Sequence, residues 1–267
     1  PASAGLTPAD QGICPGDSAR LTMQLTGADY YLVIVSDGLN MFVFDSITHG
    51  AEVAFAPGVN TTYSITAFTA YGNPCPGSIG PAVTVSVSDL SVGATLSDYN
   101  GFNVGCNGDN NGSIQLAING GQPPVQIQWS QGGGGTSLEN LSAGMYGVTV
   151  TDAAGCPKEL SFELTEPTAL RPEYLTTPPV CAGESTGTIQ IITVEGALLP
   201  ITVNMNGNDM GVITTFPYLI NNLKDGDYDL LFTDANGCEN TLKLNIVPAS
   251  PLIVDVGQDQ TIEYGAS

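Results

Sequence analysis

Six cysteines, one histidine and a set of closely spaced carboxylates are the residues of this 267-residue chain with the types and spacing for chemistry. The cysteines come two to a stretch: Cys14 and Cys75, Cys106 and Cys156, Cys181 and Cys238. No Cys-x-x-Cys motif or Cys/His cluster is present, so a tetrahedral zinc site lacks its ligands. Six cysteines allow fifteen disulfide pairings, and one bond inside each stretch is the arrangement that treats the three alike. The expectation is therefore Cys14–Cys75, Cys106–Cys156 and Cys181–Cys238. Each would close a loop of roughly 50–60 residues and contribute about 4 kcal/mol in the chain-entropy account. Disulfide use implies an extracellular setting.

Catalysis has little to draw on. His49, in "SITHGAE", lies in a polar stretch that reads as an exposed loop, with no orienting partner in the sequence. Asp225, Asp227 and Asp229 alternate along a strand, which turns Asp227 and Asp229 to solvent opposite Tyr228. No Gly-rich phosphate loop precedes a helical pattern. Calcium is the one cofactor with donors to offer, in "CNGDNNGS" (Asp109, Asn110, Asn111) and "KDGDYD". Neither has the twelve-residue loop with a closing Glu, and Asn-Gly and Asp-Gly are the preferred hairpin-turn dipeptides. Turn chemistry accounts for these residues, so the expectation is no cofactor, with calcium as the alternative.

Charge narrows the partners. Asp and Glu number 26 against 5 Lys and Arg, for a net charge of −21. The excess is spread evenly along the chain, which reads as a solvated, self-repelling surface and not as a local acidic tail. Nucleic-acid binding, which needs Lys and Arg facing phosphates, is excluded. No apolar run reaches the roughly 18 residues of a membrane-spanning helix. The chain does not begin with Met or a signal peptide, and "PLIVDVGQDQTIEYGAS" opens a strand pattern and stops, so an excerpt of a longer protein is expected.

The elements that position these residues are strands. "LSAGMYGVTVTDAAGC" (141–156) returns as "LKDGDYDLLFTDANGC" (223–238), with Leu, Gly, Tyr, Thr-Asp-Ala, Gly and Cys in register. Tyr146, Val148 and Val150 fall on one face, and Tyr228, Leu230 and Phe232 repeat them, as in a half-buried strand leading to a turn. Upstream, Val125, Ile127 and Trp129 are answered by Ile201, Val203 and Met205, and Trp129 reads as a core residue. Gly (33) and Pro (18) are frequent and helical spacing is short-lived, which favours strands joined by turns. A period near 80 residues divides the chain into modules at 1–90, 91–167 and 168–248, with 249–267 starting another. The expected fold is all-β, a tandem series of immunoglobulin-like sandwiches in an elongated array. In it Tyr146 and Tyr228 form tyrosine corners, the hydroxyl bonding back to upstream backbone.

The pattern C-x-G-(x)-G-[ST]-I, then G-x-P-x-x-x-W, then L-x-x-G-x-Y-x-V-x-V-T-D-x-x-G-C resembles the SprB-type repeat of large surface adhesins and secreted fibres of gliding Bacteroidetes. Residues 100–167 carry the likeness most strongly. Residues 175–248 match at the cysteines and closing phrase, with Met205 in place of the Trp. "ICPGDSARLTMQLTG…NTTYSITAFTAYGNPCPG" resembles the PKD/Ig-like modules that accompany such repeats, and "VDVGQDQTIEYG" the start of another. The resemblance implies export by type IX secretion, tandem arrays, and a part in adhesion or motility. Asp17-Ser18-Ala19 and Asp45-Ser46-Ile47 match the short D-[ST]-apolar motif for O-glycosylation in those bacteria, at Ser18 and Ser46.

The expected function is thus a non-catalytic structural or adhesive segment of a secreted cell-surface fibre. Its partners would be other modules of the same long chain, further copies in a homo-oligomeric fibre, and surface or cell-surface glycans. Two alternatives are a structural subunit of an assembled hook- or fibre-like appendage and a carbohydrate-binding accessory region of a secreted hydrolase. The last would need an exposed aromatic platform.

Overall fold

The computed structural model describes residues 1–248, and the expected start of a further module at 249–267 lies outside them. Among the described residues every regular element is a strand. The first sandwich contains β1 (Ser3–Thr7), β2 (Asp10–Ile13), β3 (Ala19–Thr26), β4 (Tyr31–Ser36), β5 (Met41–Ile47), β6 (Glu52–Phe55), β7 (Thr61–Ala70), β8 (Ser78–Ile79) and β9 (Val83–Val87). Its sheets run β6-β3-β1-β8 and β2-β9-β7-β4-β5. Alternation does the sorting: in β3, Ala19, Leu21, Met23 and Leu25 are buried while Arg20 and Gln24 face water. From the other sheet Tyr31, Val33, Val35, Tyr63, Val83 and Val85 close over them.

The second sandwich is smaller, with β10 (Ser91–Leu96), β11 (Gly112–Asn119), β12 (Gln126–Trp129), β13 (Ser137–Leu141), β14 (Gly144–Thr151) and β15 (Pro157–Leu164). Sheets β10-β11-β13 and β12-β14-β15 enclose Ile114, Leu116, Trp129, Tyr146, Val148, Val150 and Leu164. The third has β16 (Arg171–Thr177), β17 (Gly187–Glu195), β18 (Ile201–Met205), β19 (Asn208–Ile213), β20 (Tyr218–Leu223), β21 (Gly226–Thr233) and β22 (Glu239–Ile246). Its sheets are β16-β17-β20 and β19-β18-β21-β22, around Ile189, Ile191, Ile201, Val203, Leu230 and Phe232.

One substitution explains how the two related sandwiches diverge. Trp129 is 2% exposed, and its indole N–H must find an acceptor once buried. The Gly-rich stretch after β12 supplies it, with Nε1 donating to the Gly135 carbonyl at 2.8 Å. Met205 fills the same place in the third sandwich and has no such donor. There the corresponding stretch is free to form β19, an extra edge strand paired with β18.

By its contacts the chain forms two compact units. Unit 1 is Pro1–Ser97 with Asn111–Leu164, and so holds the first two sandwiches. Unit 2 is Asp98–Asn110 with the described residues from Thr165 on, and holds the third. Residues 98–110, expected within the second module, therefore group with the segment after β15. The Asn103 and Val104 N–H groups donate to the Thr165 carbonyl (2.9 and 3.0 Å). Glu166 accepts from Asn107 Nδ2 (2.9 Å) and the Gly108 N–H (2.8 Å).

Candidate functional site

Two kinds of turn carry the cysteines. The first opens each module's second long strand and has the form Cys-x-Gly-Asp/Glu. The Asp17 N–H returns to the Cys14 carbonyl (3.0 Å), Asp109 to Cys106 (3.1 Å) and Glu184 to Cys181 (3.2 Å). The third residue is Gly16, Gly108 or Gly183, with φ of 89°, 80° and 81°. A β-turn with positive φ at that position admits glycine with least strain.

The second turn closes each module. In the related pair it is built on the Asp of Thr-Asp-Ala. Asp152 Oδ1 accepts the N–H groups of Ala154 and Cys156, both at 3.0 Å, and Oδ2 accepts that of Gln122 at 3.0 Å. Asp234 does the same with Asn236 (2.9 Å), Cys238 (2.9 Å) and Leu198 (3.0 Å). One buried carboxylate thus folds the cysteine turn and ties it to the loop between the second and third strands of its module. Burial would raise the pKa of Asp152. The N–H groups of Gln122 and Cys156, the Ser88 hydroxyl and the Ala154 N–H outweigh that and hold the carboxyl below the ordinary carboxylate range. In the first module Asn73 takes the Asp's part, accepting the Cys75 N–H at 3.1 Å. Sequence reasoning missed these residues. In the related pair the signal was there, in the Asp repeated four positions before Cys156 and Cys238.

The bonds are not those expected. Cys14 is bonded to Cys156 and Cys106 to Cys238, while Cys75 and Cys181 are free and exposed. None of the three intra-module pairings is made, and the reason is topological. β2 runs parallel to β9 with Ile13 opposite Val87, which puts Cys14 beside Ser88, where the chain leaves the first sandwich. Cys75 lies at the other end, past Ala70 and just before Ser78, whose N–H donates to the Ala2 carbonyl where the chain comes in. The ten residues of β7 lie between. In the third sandwich the Gly183 N–H donates to Asp225 Oδ1 (2.6 Å), next to Gly226, which pairs with the last strand residue, Ile246. Cys238 follows the far end of the same eight-residue strand, β21. Strands of that length span about 25–30 Å, whereas disulfide Cα atoms lie within about 7 Å. Cys14 of the first sandwich reaches instead the closing cysteine of the second, and Cys106, in the segment before β11, the closing cysteine of the third.

In unit 1 the junction crossed by Cys14–Cys156 is also bonded directly. The Ser88 N–H donates to the Ile13 carbonyl (2.9 Å), Gln122 Nε2 to the Ser86 carbonyl (3.3 Å), and the Gly121 N–H to Asp89 Oδ1 (2.8 Å). Leu90 is buried in the second core, one residue past the joint.

The remaining sequence-derived residues fall as follows. Tyr146 donates to the Ser142 carbonyl and Tyr228 to that of Lys224, both at 2.9 Å and four residues upstream. Ser18 and Ser46 are exposed. His49 is exposed after β5, with Nδ1 2.8 Å from the Leu25 carbonyl oxygen. Asp227 and Asp229 are exposed, accepting from Asn245 Nδ2 and pairing with Lys243 (3.4 Å), respectively. Among the described residues no group of three or more His, Cys, Asp or Glu is placed to hold a metal ion, and Asp109 serves the Cys106 turn.

The fold is that of a tandem immunoglobulin-like β-sandwich protein. Within it, residues 102–134 match the SprB repeat family, at the first cysteine turn, β11 and the approach to Trp129. No curated protein sequence matches the chain. Among solved structures it is similar to the I-band fragment I67–I69 from titin (13% identity, 94% of this chain and 99% of that one, TM-score 0.44). It is also similar to Dpr2 Ig1–Ig2 in complex with DIP-Theta Ig1–Ig3 (10% identity, 90% and 97%, TM-score 0.32). A third similar structure is Sidekick-1 immunoglobulin domains 1–4 (13% identity, 92% and 76%, TM-score 0.28).

Proposed function

We propose that this chain is a non-catalytic structural or adhesive segment of a secreted cell-surface protein. Its modules transmit load and present a surface in place of turning over a substrate. The observation that carries the reading is the bonding pattern in a chain containing a SprB repeat. Cys14–Cys156 joins the first sandwich to the second, and Cys106–Cys238 ties the segment leading into β11 to the third, so neither bond is spent inside a single sandwich. Disulfides persist in oxidising, extracellular settings. Export by type IX secretion, and a place in a gliding or attachment fibre, are the finer reading that the SprB likeness supports. The accessory-domain alternative loses its best candidate platform, since Trp129 is buried.

Antibodies raised to this chain test the location. Labelling of intact cells, abolished by brief protease treatment, is the expected result, and labelling only after permeabilisation would overturn it. Pull-down on insoluble polysaccharides tests the alternative: saturable binding by the purified chain would favour the accessory domain.

A further inference from the structure

The second and third sandwiches are built alike, and they differ on the outer face of the sheet that carries β14 or β21. In β14 Tyr146, Val148 and Val150 turn inward, which sends Gly147 and Thr149 outward. Gln128, Thr149 and Glu159 lie side by side across β12, β14 and β15. Beside that row lie Ser130, whose N–H donates to the Gly147 carbonyl (2.9 Å), Gly147 itself and Ser161. Where the glycine lacks a side chain the face sinks into an open groove of about 480 Å³, lined by Gln128, Ser130, Gly147, Thr149 and Glu159. Nothing in the fold asks for that glycine. It is not one of the chain's positive-φ glycines, and β14 pairs with β15 without a bulge. A Cβ there would lie 3.5 Å from Ser130 Oγ, an ordinary contact. Glycine inside a strand weakens it, and a recurring reason to keep one is the close approach of a ligand. The third sandwich has Asp229 at this place, held by Asn206 (2.8 Å) as Gly147 is by Ser130 (3.0 Å). Asp229 pairs with Lys243 at 3.4 Å, across the strands where Gly147 faces Ser161. An ion pair stands there where the second sandwich has its groove.

We propose that the groove over Gly147 binds a neutral saccharide. The lining selects that class. Among the described residues the side chains of Gln128, Thr149 and Glu159 have no partner, so an amide, a hydroxyl and a carboxylate stand ready in one row. The amide and the hydroxyl each donate and accept, and the carboxylate accepts from two neighbouring donors. Adjacent hydroxyls of a sugar ring offer the matching set, and the C–H face of the ring can lie on the bare backbone of Gly147. No Lys or Arg lines the groove, and Glu159 together with the net charge of −21 repels anionic sugars, phosphates and acidic peptides. One carboxylate is too few for a metal ion. Trp129 and Val148 are buried, so they give an apolar peptide side chain no pocket here. The groove also lacks the flat aromatic platform that an insoluble polysaccharide calls for, so its ligand is a hydrated glycan chain. The inference deepens the adhesive reading, on which it rests for its biological role, by naming what the presented surface takes hold of.

Isothermal titration of the full chain with soluble hexasaccharides of glucose, mannose, galactose and xylose, beside an oligogalacturonate as the acidic sugar, tests this. At least one neutral sugar is expected to bind saturably, and the acidic one not at all. Gly147→Asp combined with Ser161→Lys copies the third sandwich and fills the groove. Gln128→Ala removes a lining group that the protein itself does not use, and should leave the urea midpoint at the wild-type value. Each change should weaken binding about tenfold or more, the worth of one charge-free hydrogen bond at the upper end of its range. If the double variant unfolds, Gln128→Ala decides alone. Binding that Gln128→Ala or a folded double variant keeps at full strength would place the sugar elsewhere on the chain and overturn the site. Binding of none of the neutral sugars, or preference for the acidic one, would overturn the ligand class. Location and binding fail separately. A chain labelled on intact cells that binds no sugar loses the groove and keeps the adhesive reading. One labelled only after permeabilisation that binds through Gln128 keeps the groove and loses the adhesive reading.

Discussion

Asp152 shows how much one side chain can decide. Its two oxygens accept three backbone N–H groups from two loops, and its lowered pKa records how strongly that cradle favours the charged form. A carboxyl whose pKa is depressed by folding contributes stability that is present above the ordinary carboxylate range and lost as pH falls through the folded value. Unit 1 should therefore lose stability as pH falls below the ordinary carboxyl value of 3.8 and through the lower folded one, and Asp152→Asn should flatten that dependence. The amide would offer an N–H where the carboxylate accepted one, at a cost of about 2 kcal/mol near neutral pH. Urea midpoints across the acid range check both; a variant that parallels wild type at every pH would mean the carboxylate is not ionised in the cradle. The tyrosine hydroxyls contribute less. Tyr146→Phe should cost about 1 kcal/mol, the net value of one hydrogen bond. Tyr228→Phe should cost less, because its bond is exposed to competing water. Thermal melts of the two variants give the order, and equal midpoints for Tyr146→Phe and wild type would remove the corner from the stability of the second module.

At the scale of the element, the loops between the second and third strands of the related modules do the joining. Gly120 and Gly196 hold equivalent places there, with φ of 64° and 78°. A Cβ on Gly120 would lie 2.5 Å from the Asp89 carbonyl oxygen, and one on Gly196 2.6 Å from that of Thr168. The incoming segment thus lies against bare backbone, and alanine at either site should cost about 2 kcal/mol or more through clash and strained φ together. Gly132→Ala is the control, since its φ of 91° is similar but its Cβ would meet nothing. It should cost only the conformational penalty of about 1 kcal/mol. Chemical unfolding of the three variants separates contact from conformation, and three equal losses would mean that the joint is loose. The strands themselves were legible in the sequence: β14 and β21 announce themselves by alternation, and Trp129 and Met205 by their equivalent places. The pairing of cysteines was not. Two per module fits a bond within the module and a bond to the next equally well. Only the parallel pairing of β2 with β9, a contact between distant stretches, puts Cys14 at the outgoing end. The buried Asp152 and Asp234 were hidden for a related reason, because an Asp three residues ahead of a Gly reads as turn chemistry whether or not a second loop lies over it.

For the whole molecule, the two bonds overlap: the second begins at Cys106, before the first ends at Cys156. This changes what pulling on the chain can release. Without disulfides, unfolding frees the entire path from Cys14 to Cys238, about 220 residues. With both intact, tension passes across Cys14–Cys156, back along the chain to Cys106, and across to Cys238, so only about 50 residues lie on the taut path. At about 3.5 Å per extended residue the bonds withhold roughly 60 nm of contour. Single-molecule stretching of the chain from its ends should show the oxidised protein reaching full extension roughly 60 nm short of the reduced one. Intra-module pairs would also shorten the chain, but by three separate loops of roughly 50–60 residues each, so Cys14→Ser and Cys106→Ser decide between the two. Under the overlapping scheme, Cys14→Ser leaves Cys106–Cys238 to withhold about 130 residues by itself, roughly 46 nm, so losing one bond returns only about 15 nm. Three independent loops would instead return roughly 20 nm for Cys14→Ser and a similar amount for Cys106→Ser. In the overlapping scheme Cys106→Ser leaves the loop of Cys14–Cys156, about 140 residues and roughly 50 nm, and so returns only about 11 nm. Neither single loss returns its own loop's worth, because each bond covers for part of the other. Sharing of that kind suits a chain that must keep its length under load after one bond is reduced.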